Sequence, residues 1–152
     1  METRAGGVSG LGRTAWADDE VITPDPTTGR GFVTRPMLAL AERLMARGWP
    51  VRCWGSRPHN PTSDHPRGRA CDVLTSKPGV LPTAAEKARA DALAAELQAG
   101  AESTGIRYLV WYGRIWSVER ADEGWRPYGG GGVYDPADVT GGHFDHIHIS
   151  IR

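Results

Sequence analysis

Apolar positions recur at three- and four-residue spacing from Arg35 to Arg47, where Met37, Leu40 and Leu44 form one stripe. That periodicity predicts an amphipathic helix. Thr34 can cap it, Pro36 suits its first turn and Gly48 ends it. The run from Val51 to Ser56 predicts a strand leading into a Pro/Asn loop at 58–62, and Cys71 to Leu74 predicts a short second strand. Thr83-Ala-Ala-Glu86 is a capping box that opens a helix to about Ala99, with Leu93 and Leu97 facing inward and Gly100 as its stop. Ile106 to Val118 predicts two strands turning at Tyr112-Gly113, and residues 129–142 a glycine-rich loop. A last strand, His146 to Ile151, alternates strictly. Residues 1–33 mix Gly, Pro, Thr and charge with too little apolar content for a packed element, and read as an irregular arm. The domain proper then spans 34–152. Its order of helix, strands, helix, strands predicts an α+β fold with a small, mostly antiparallel sheet flanked by helices.

Composition narrows the partners. At 152 residues the chain suits a single domain with its own core. Eighteen basic residues balance eighteen acidic ones, which argues against nucleic acid as a partner. No run of 18 apolar residues exists, so no membrane span is expected, and a monomer is. The opening METRAGGVSGLGRTAWADDE lacks the positive-then-apolar pattern of a signal peptide. Export by another route, trimming from a longer precursor, or work inside a cell all fit that opening. Cys53 and Cys71 are too few for a cysteine zinc cage. They pair if their strands are neighbours, which would suit an oxidising compartment; otherwise they are two buried thiols.

The chemistry concentrates in two segments, SDHPRGRACD (63–72) and GGHFDHIHIS (141–150). Alternation puts His146, His148 and Ser150 on one face of the last strand and Ile147 and Ile149 on the other. A lone strand histidine is usually unremarkable, but two side by side plus a distant His/Asp pair suggest a metal. His65, Asp72 and His148 would supply two nitrogens and a carboxylate oxygen to Zn²⁺, leaving one position for water. Around His65, Ser63 and Asp64 can turn the backbone, Pro66 stiffens the exit, and Gly68 permits a close or left-handed backbone.

SDHPRGRACD fits the pattern SxHxxGxAxD through Ser63, His65, Gly68, Ala70 and Asp72. With His146-Ile147-His148 it resembles the LAS group of zinc peptidases, which joins lysostaphin-type endopeptidases, D-Ala-D-Ala metallopeptidases and the hedgehog signalling domain. The resemblance covers residues from about 35 to 152. It is closer to the D-Ala-D-Ala carboxypeptidase and phage endolysin branch, and to actinobacterial secreted domains ending in a similar H-F-D-H-I-H-I-S run. It implies a hedgehog/D-Ala-D-Ala peptidase-like fold, zinc on His65, Asp72 and His148, and action on peptidoglycan at the cell wall. The activity implied is cleavage, by metal-activated water, of a stem-peptide or cross-bridge amide involving D-amino acids. One branch places the general base three residues before the last ligand, which is Asp145; the other uses the first His of HxH, which is His146. Asp145 is favoured, with His146 orienting or stabilising the transition state. Arg57, in Gly55-Ser56-Arg57, matches an arginine that binds the scissile carbonyl oxygen; a solvated loop arginine is the plainer reading.

Weaker signals surround these. His59 reads as a surface histidine, and His143 either lines a cleft or sits idle in a glycine-flanked loop. Six aromatics between Tyr108 and Tyr128 mostly suit a hairpin core; Trp125 and Tyr128, beside the glycine loop, are the candidates for substrate contact together with Ser63 and His143. The competing function is a zinc-containing wall-binding module without hydrolysis. A two-histidine phosphoesterase is set aside, because only His148 is followed by the required x-Ser pattern.

Overall fold

The computed structural model of the protein describes residues 21–152. Most of the expected irregular arm, residues 1–20, lies outside the described residues. Its remainder is not irregular. Strands β1 (Ile22–Pro24) and β2 (Phe32–Thr34) pair antiparallel, and Val33 is fully buried in the core. Asp25 closes the turn between them. Its carboxylate accepts the Thr27 N–H (2.8 Å), the Thr27 and Thr28 hydroxyls (2.7 and 2.8 Å) and the Trp54 N–H (2.8 Å). A chain poor in apolar residues is thus ordered by polar turn chemistry around one buried acid.

Helix α1 (Arg35–Ala46) follows, with Thr34 Oγ1 accepting the Met37 N–H and Met37, Leu40, Ala41 and Leu44 buried. Helix α2 (Ala84–Ala99) opens on a complete capping box between Thr83 and Glu86 and buries Ala90, Leu93, Ala94 and Leu97. A short helix α3 (Ala101–Thr104) extends it past Gly100. Both long helices contribute to the core against one face of a six-stranded sheet. Its strands are β3 (Val51–Arg52), β4 (Ala70–Leu74), β5 (Ile106–Trp111), β6 (Arg114–Ser117), β7 (Arg126–Pro127) and β8 (His146–Ile151). They lie in the order β3-β4-β8-β5-β6-β7, every neighbouring pair antiparallel. The fold is α+β, as the alternation of patterns predicts. The β5–β6 turn at Tyr112 and Gly113 has positive φ at both positions (51° and 74°), the geometry a tight hairpin needs.

Strand β3 is shorter than the expected 51–56 run. Past Arg52 its backbone leaves the ladder for other partners: the Cys53 N–H donates to Thr27 Oγ1 (2.9 Å), and the Trp54 N–H to Asp25. Cys53 and Cys71 form a disulfide within the core, resolving their two alternatives in favour of pairing.

The two faces of the sheet divide the labour. Cys71, Val73, Leu109, Trp111, Ile147, Ile149 and Ile151 face the helices. The intervening residues build the opposite face: register sets Arg52 beside Asp72, Asp72 beside His148, and His148 beside Val110. The register shifts between Ile106 and Tyr108, so Ile106 and Leu109 both enter the core while Arg107 is free to reach Asp64. Among the described residues no helix is long and apolar enough to cross a membrane.

Candidate metal centre

The turn that presents His65 is a single 3-10 turn, His65–Arg67, ended by Gly68 at φ 72°. Strand β2 lies directly over that glycine: Thr34 N–H donates to Gly68 O (3.0 Å), and a Cβ on Gly68 would come 2.8 Å from the Val33 Cα. No other residue satisfies both the backbone angle and the close approach. Ser63 Oγ accepts the His65 N–H (3.2 Å) and so fixes the start of the turn. The His65 ring then lies with Nδ1 against the Cys53 carbonyl oxygen. Because a carbonyl can only accept, Nδ1 carries the proton and Nε2 presents a lone pair.

His148 arrives from the middle of β8 in the opposite tautomer. Its Nε2 faces Ser150 Oγ (2.8 Å), and Ser150 Oγ donates to Asp64 Oδ2 (2.8 Å). The hydroxyl hydrogen is therefore committed to the carboxylate, so His148 Nε2 carries a proton and Nδ1 presents the lone pair. Asp64 is itself held by Arg107 (2.9 Å) and, more distantly, by Arg67 and Tyr108 (3.5 Å each). Both free nitrogens point at the same atom: His65 Nε2 and His148 Nδ1 are each 3.3 Å from Asp72 Oδ1. That oxygen is buried and has no hydrogen-bond donor. One ligand atom from each of His65, Asp72 and His148 lies within 4.8 Å of the others. Three acceptors facing one another form a group that could hold a cation between them. Two imidazole nitrogens with one carboxylate oxygen are a donor set that Zn²⁺ accepts.

His146 stands one pleat along β8, with Nε2 3.8 Å from Asp72 Oδ1. Asp145 holds its other nitrogen, Nδ1, at 2.7 Å through Oδ1. Asp145 Oδ2 in turn accepts the Gly79 N–H (2.7 Å) and the Thr140 hydroxyl (2.6 Å). Burial pushes the Asp145 carboxyl up, yet these donors bring it down to about 2. Burial pushes His146 down, but Asp72 and Asp145 more than compensate and its pKa rises. Both Asp145 oxygens are thus occupied behind His146, which is the group that faces the ligands. His143, at φ 61°, packs its ring 4.4 Å from that of His146 and 5.9 Å from that of His148. Burial, then the neighbouring imidazoles, lower its pKa to about 3, so it is a neutral wall.

These groups line a cleft of about 910 Å³. Arg57, at φ 43°, brings a guanidinium nitrogen to 3.5 Å from Asp72 Oδ2, beside the ligands. Tyr128 lines the cleft with its ring 5.0 Å from His143; burial, then the nearby Tyr134 and Tyr108, push its phenol up to about 12. Ser63 also lines it, though its hydroxyl serves the His65 turn. Trp125 does not belong there. Its indole N–H donates to Gln98 Oε1 (2.9 Å) and its ring packs on the core, because β7 turns it toward α2. His59, read as a surface residue, stands at the cleft mouth with Nε2 3.4 Å from the Tyr134 hydroxyl.

The sequence reading missed the supporting residues. Asp64 appeared as a turn residue only, and Ser150 only as a face-mate of His148. The signal for Ser150 was its place two residues after a candidate ligand on a strand. Asp64 and Arg107 carried none.

No curated protein and no solved structure matches the chain. The family model described as VldE, C-terminal domain, matches residues 29–140, a span that includes His65 and Asp72 and stops short of β8. With more than half of its length matched, the chain belongs to the VldE C-terminal domain family.

Proposed function

We propose that the protein is a zinc-dependent peptidase that hydrolyses an amide bond in a peptidoglycan stem peptide or cross-bridge, within a hedgehog/D-Ala-D-Ala peptidase-like fold. The observation that carries this reading is the convergence of two imidazole lone pairs on an orphaned carboxylate oxygen, in a cleft beside a His–Asp pair and an arginine. His65, Asp72 and His148 would hold Zn²⁺, which when bound acts as a Lewis acid on water and on a carbonyl oxygen.

The chain's own groups divide the remaining work. His146 takes the proton of the attacking water at Nε2, and Asp145 stabilises the resulting imidazolium through Nδ1. This reverses the order favoured on sequence grounds, where Asp145 was the base, because no Asp145 oxygen is free to face water. His146 then passes the proton to the leaving amine. Arg57 donates to the carbonyl oxygen as negative charge develops on it. His143 and Tyr128 close one side of the cleft and limit solvent around His146. The disulfide suits work outside the reducing cytosol, at the cell wall. A wall-binding module without hydrolysis would have no task for the oriented His146–Asp145 pair.

The test is to incubate zinc-loaded protein with purified sacculi and analyse the fragments by mass spectrometry. New amine and carboxyl ends, absent with His146→Ala, are expected. Intact sacculi with zinc bound to the protein would leave the binding-module reading in its place.

A further inference from the structure

We infer that the cleft wall formed by Arg30, Trp54 and Arg52 is a carboxylate-binding subsite that takes an anionic group of the peptide close to the bond being cut. This rests on the peptidase reading above. Arg52 ends β3 as the register partner of Asp72, so it springs from the strand next to a ligand and lines the cleft. Cys53 turns into the core, and Trp54 returns to the cleft. Arg30, from the β1–β2 turn, lies with its guanidinium carbon 5.5 Å from the Trp54 ring centroid. The indole is seated on Gly31, where a side chain would have no room, and its backbone N–H is pinned by Asp25. Arg30 on its aromatic platform and Arg52, two residues before that tryptophan, therefore both present guanidinium groups to the cleft.

The charges of the cleft do not neutralise that wall. Asp64 is taken by Arg107 and Ser150, Asp72 by the ligand cluster and Arg57, and Asp145 by His146, Gly79 and Thr140. Asp135 and Asp138, which also line the cleft, accept the backbone N–H groups of Ala137 and Gly141. Neither Arg30 nor Arg52 has a carboxylate partner among the described residues. The chain as a whole has no net charge, so this is a local excess. Guanidinium forks match carboxylates in a planar, two-point geometry. Adjacent strands lie about 4.8 Å apart and an extended peptide advances about 3.4 Å per residue. The recognised carboxylate thus belongs to the substrate one or two residues from the scissile amide. Two sources carry that chemistry: the free C-terminus of the peptide, or an acidic side chain in its last residues.

The experiment uses zinc-loaded full chain and three probes: N-acetyl-L-Lys-D-Ala-D-Ala, its C-terminal amide, and the same amide with D-Glu as last residue. Binding is read by calorimetry and cleavage by mass spectrometry. A carboxylate-bearing probe is expected to bind about 10-fold or more tightly than the neutral amide, at the lower end for charge-assisted hydrogen bonds. Arg52→Gln and Arg30→Gln should each erode that preference, and Arg52→Lys should restore part of it. Both side chains are exposed, so the variants should fold, which circular dichroism checks. Preference for the first probe assigns the C-terminus; preference for the third assigns the side chain. Equal binding and cleavage of all three overturns the subsite and leaves the peptidase reading standing. Carboxylate-dependent binding without cleavage supports the subsite and removes the peptidase reading. Binding of none overturns the subsite.

Discussion

Replacing Ser150 by alanine tests the centre without touching a ligand. Ser150 is fully buried, and its hydroxyl both accepts from His148 Nε2 and donates to Asp64. Alanine leaves the Nε2 hydrogen without an acceptor in a buried setting, which costs about 1–3 kcal/mol or is escaped by moving the proton to Nδ1. Either outcome weakens the site, because a proton on Nδ1 occupies the lone pair aimed at Asp72. Losing an outer partner of a ligating histidine typically lowers metal affinity about 10- to 100-fold, or about 1.4–2.7 kcal/mol. Competition with a chromophoric zinc chelator reads this directly. The extra stability conferred by a fixed excess of zinc should shrink by the same amount, which urea melts measure independently. Asp64 keeps Arg107, so the fold survives. Ser103→Ala, on the exposed α3, is the control and should bind zinc as the parent does. Wild-type zinc affinity in folded Ser150→Ala would refute the claim that this hydroxyl sets the His148 tautomer.

Other consequences separate the roles of the remaining groups. Asp145→Asn should retain zinc but lose turnover by about 10²–10⁴, as when the acid behind a catalytic imidazole is neutralised; unchanged turnover would remove His146–Asp145 as the proton-transfer pair. Arg57→Ala should slow turnover by about 10²–10³ with zinc affinity little changed, measured by steady-state kinetics. Breaking the disulfide with the Cys53→Ser, Cys71→Ser double variant should cost about 3 kcal/mol from the 18-residue loop it closes, and should weaken zinc binding as well, since Cys53 O orients His65. Asp25→Ala should destabilise the fold by about 2–4 kcal/mol, because the Trp54 and Thr27 N–H groups lose a charged acceptor. Burial raises the Asp25 pKa, but the hydrogen bonds from Trp54, Thr27 and Thr28 bring it below the usual carboxylate value. Its contribution is therefore present above the unfolded pKa and fades as pH falls through the lower, folded one. Acid melts of the parent should show that loss, and Asp25→Ala should flatten it.

What the sequence discloses here depends on the distance over which a residue acts. The helices were legible because caps and apolar stripes are local: Thr34 and Thr83 cap where expected, and Leu40, Leu44, Leu93 and Leu97 are buried. The face of β8 was legible because alternation is local too. The candidate ligands could be named because two compact segments each place donors next to residues that constrain the backbone, and Gly68 under β2 shows why one position tolerates only glycine. Contacts across long separations leave no such trace. Ser150 meets Asp64 across 86 residues and Trp54 meets Asp25 across 29, and neither pairing has a period or a spacing. Asp145 and His146 illustrate a subtler limit. Strict alternation would aim Asp145 away from the face that carries His146 and His148, so the strand has to begin irregularly, or after Asp145, for its carboxylate to turn to that face. Asp145 precedes the regular ladder, its carbonyl accepting the Thr75 N–H, and that entry bend lets its carboxylate come round to His146 Nδ1. The residue and its place in the motif were legible, while the partner its carboxylate finds depended on one turn of backbone at a strand end. Roles within a site therefore follow from where regular structure stops, and strand ends are where periodicity carries no information.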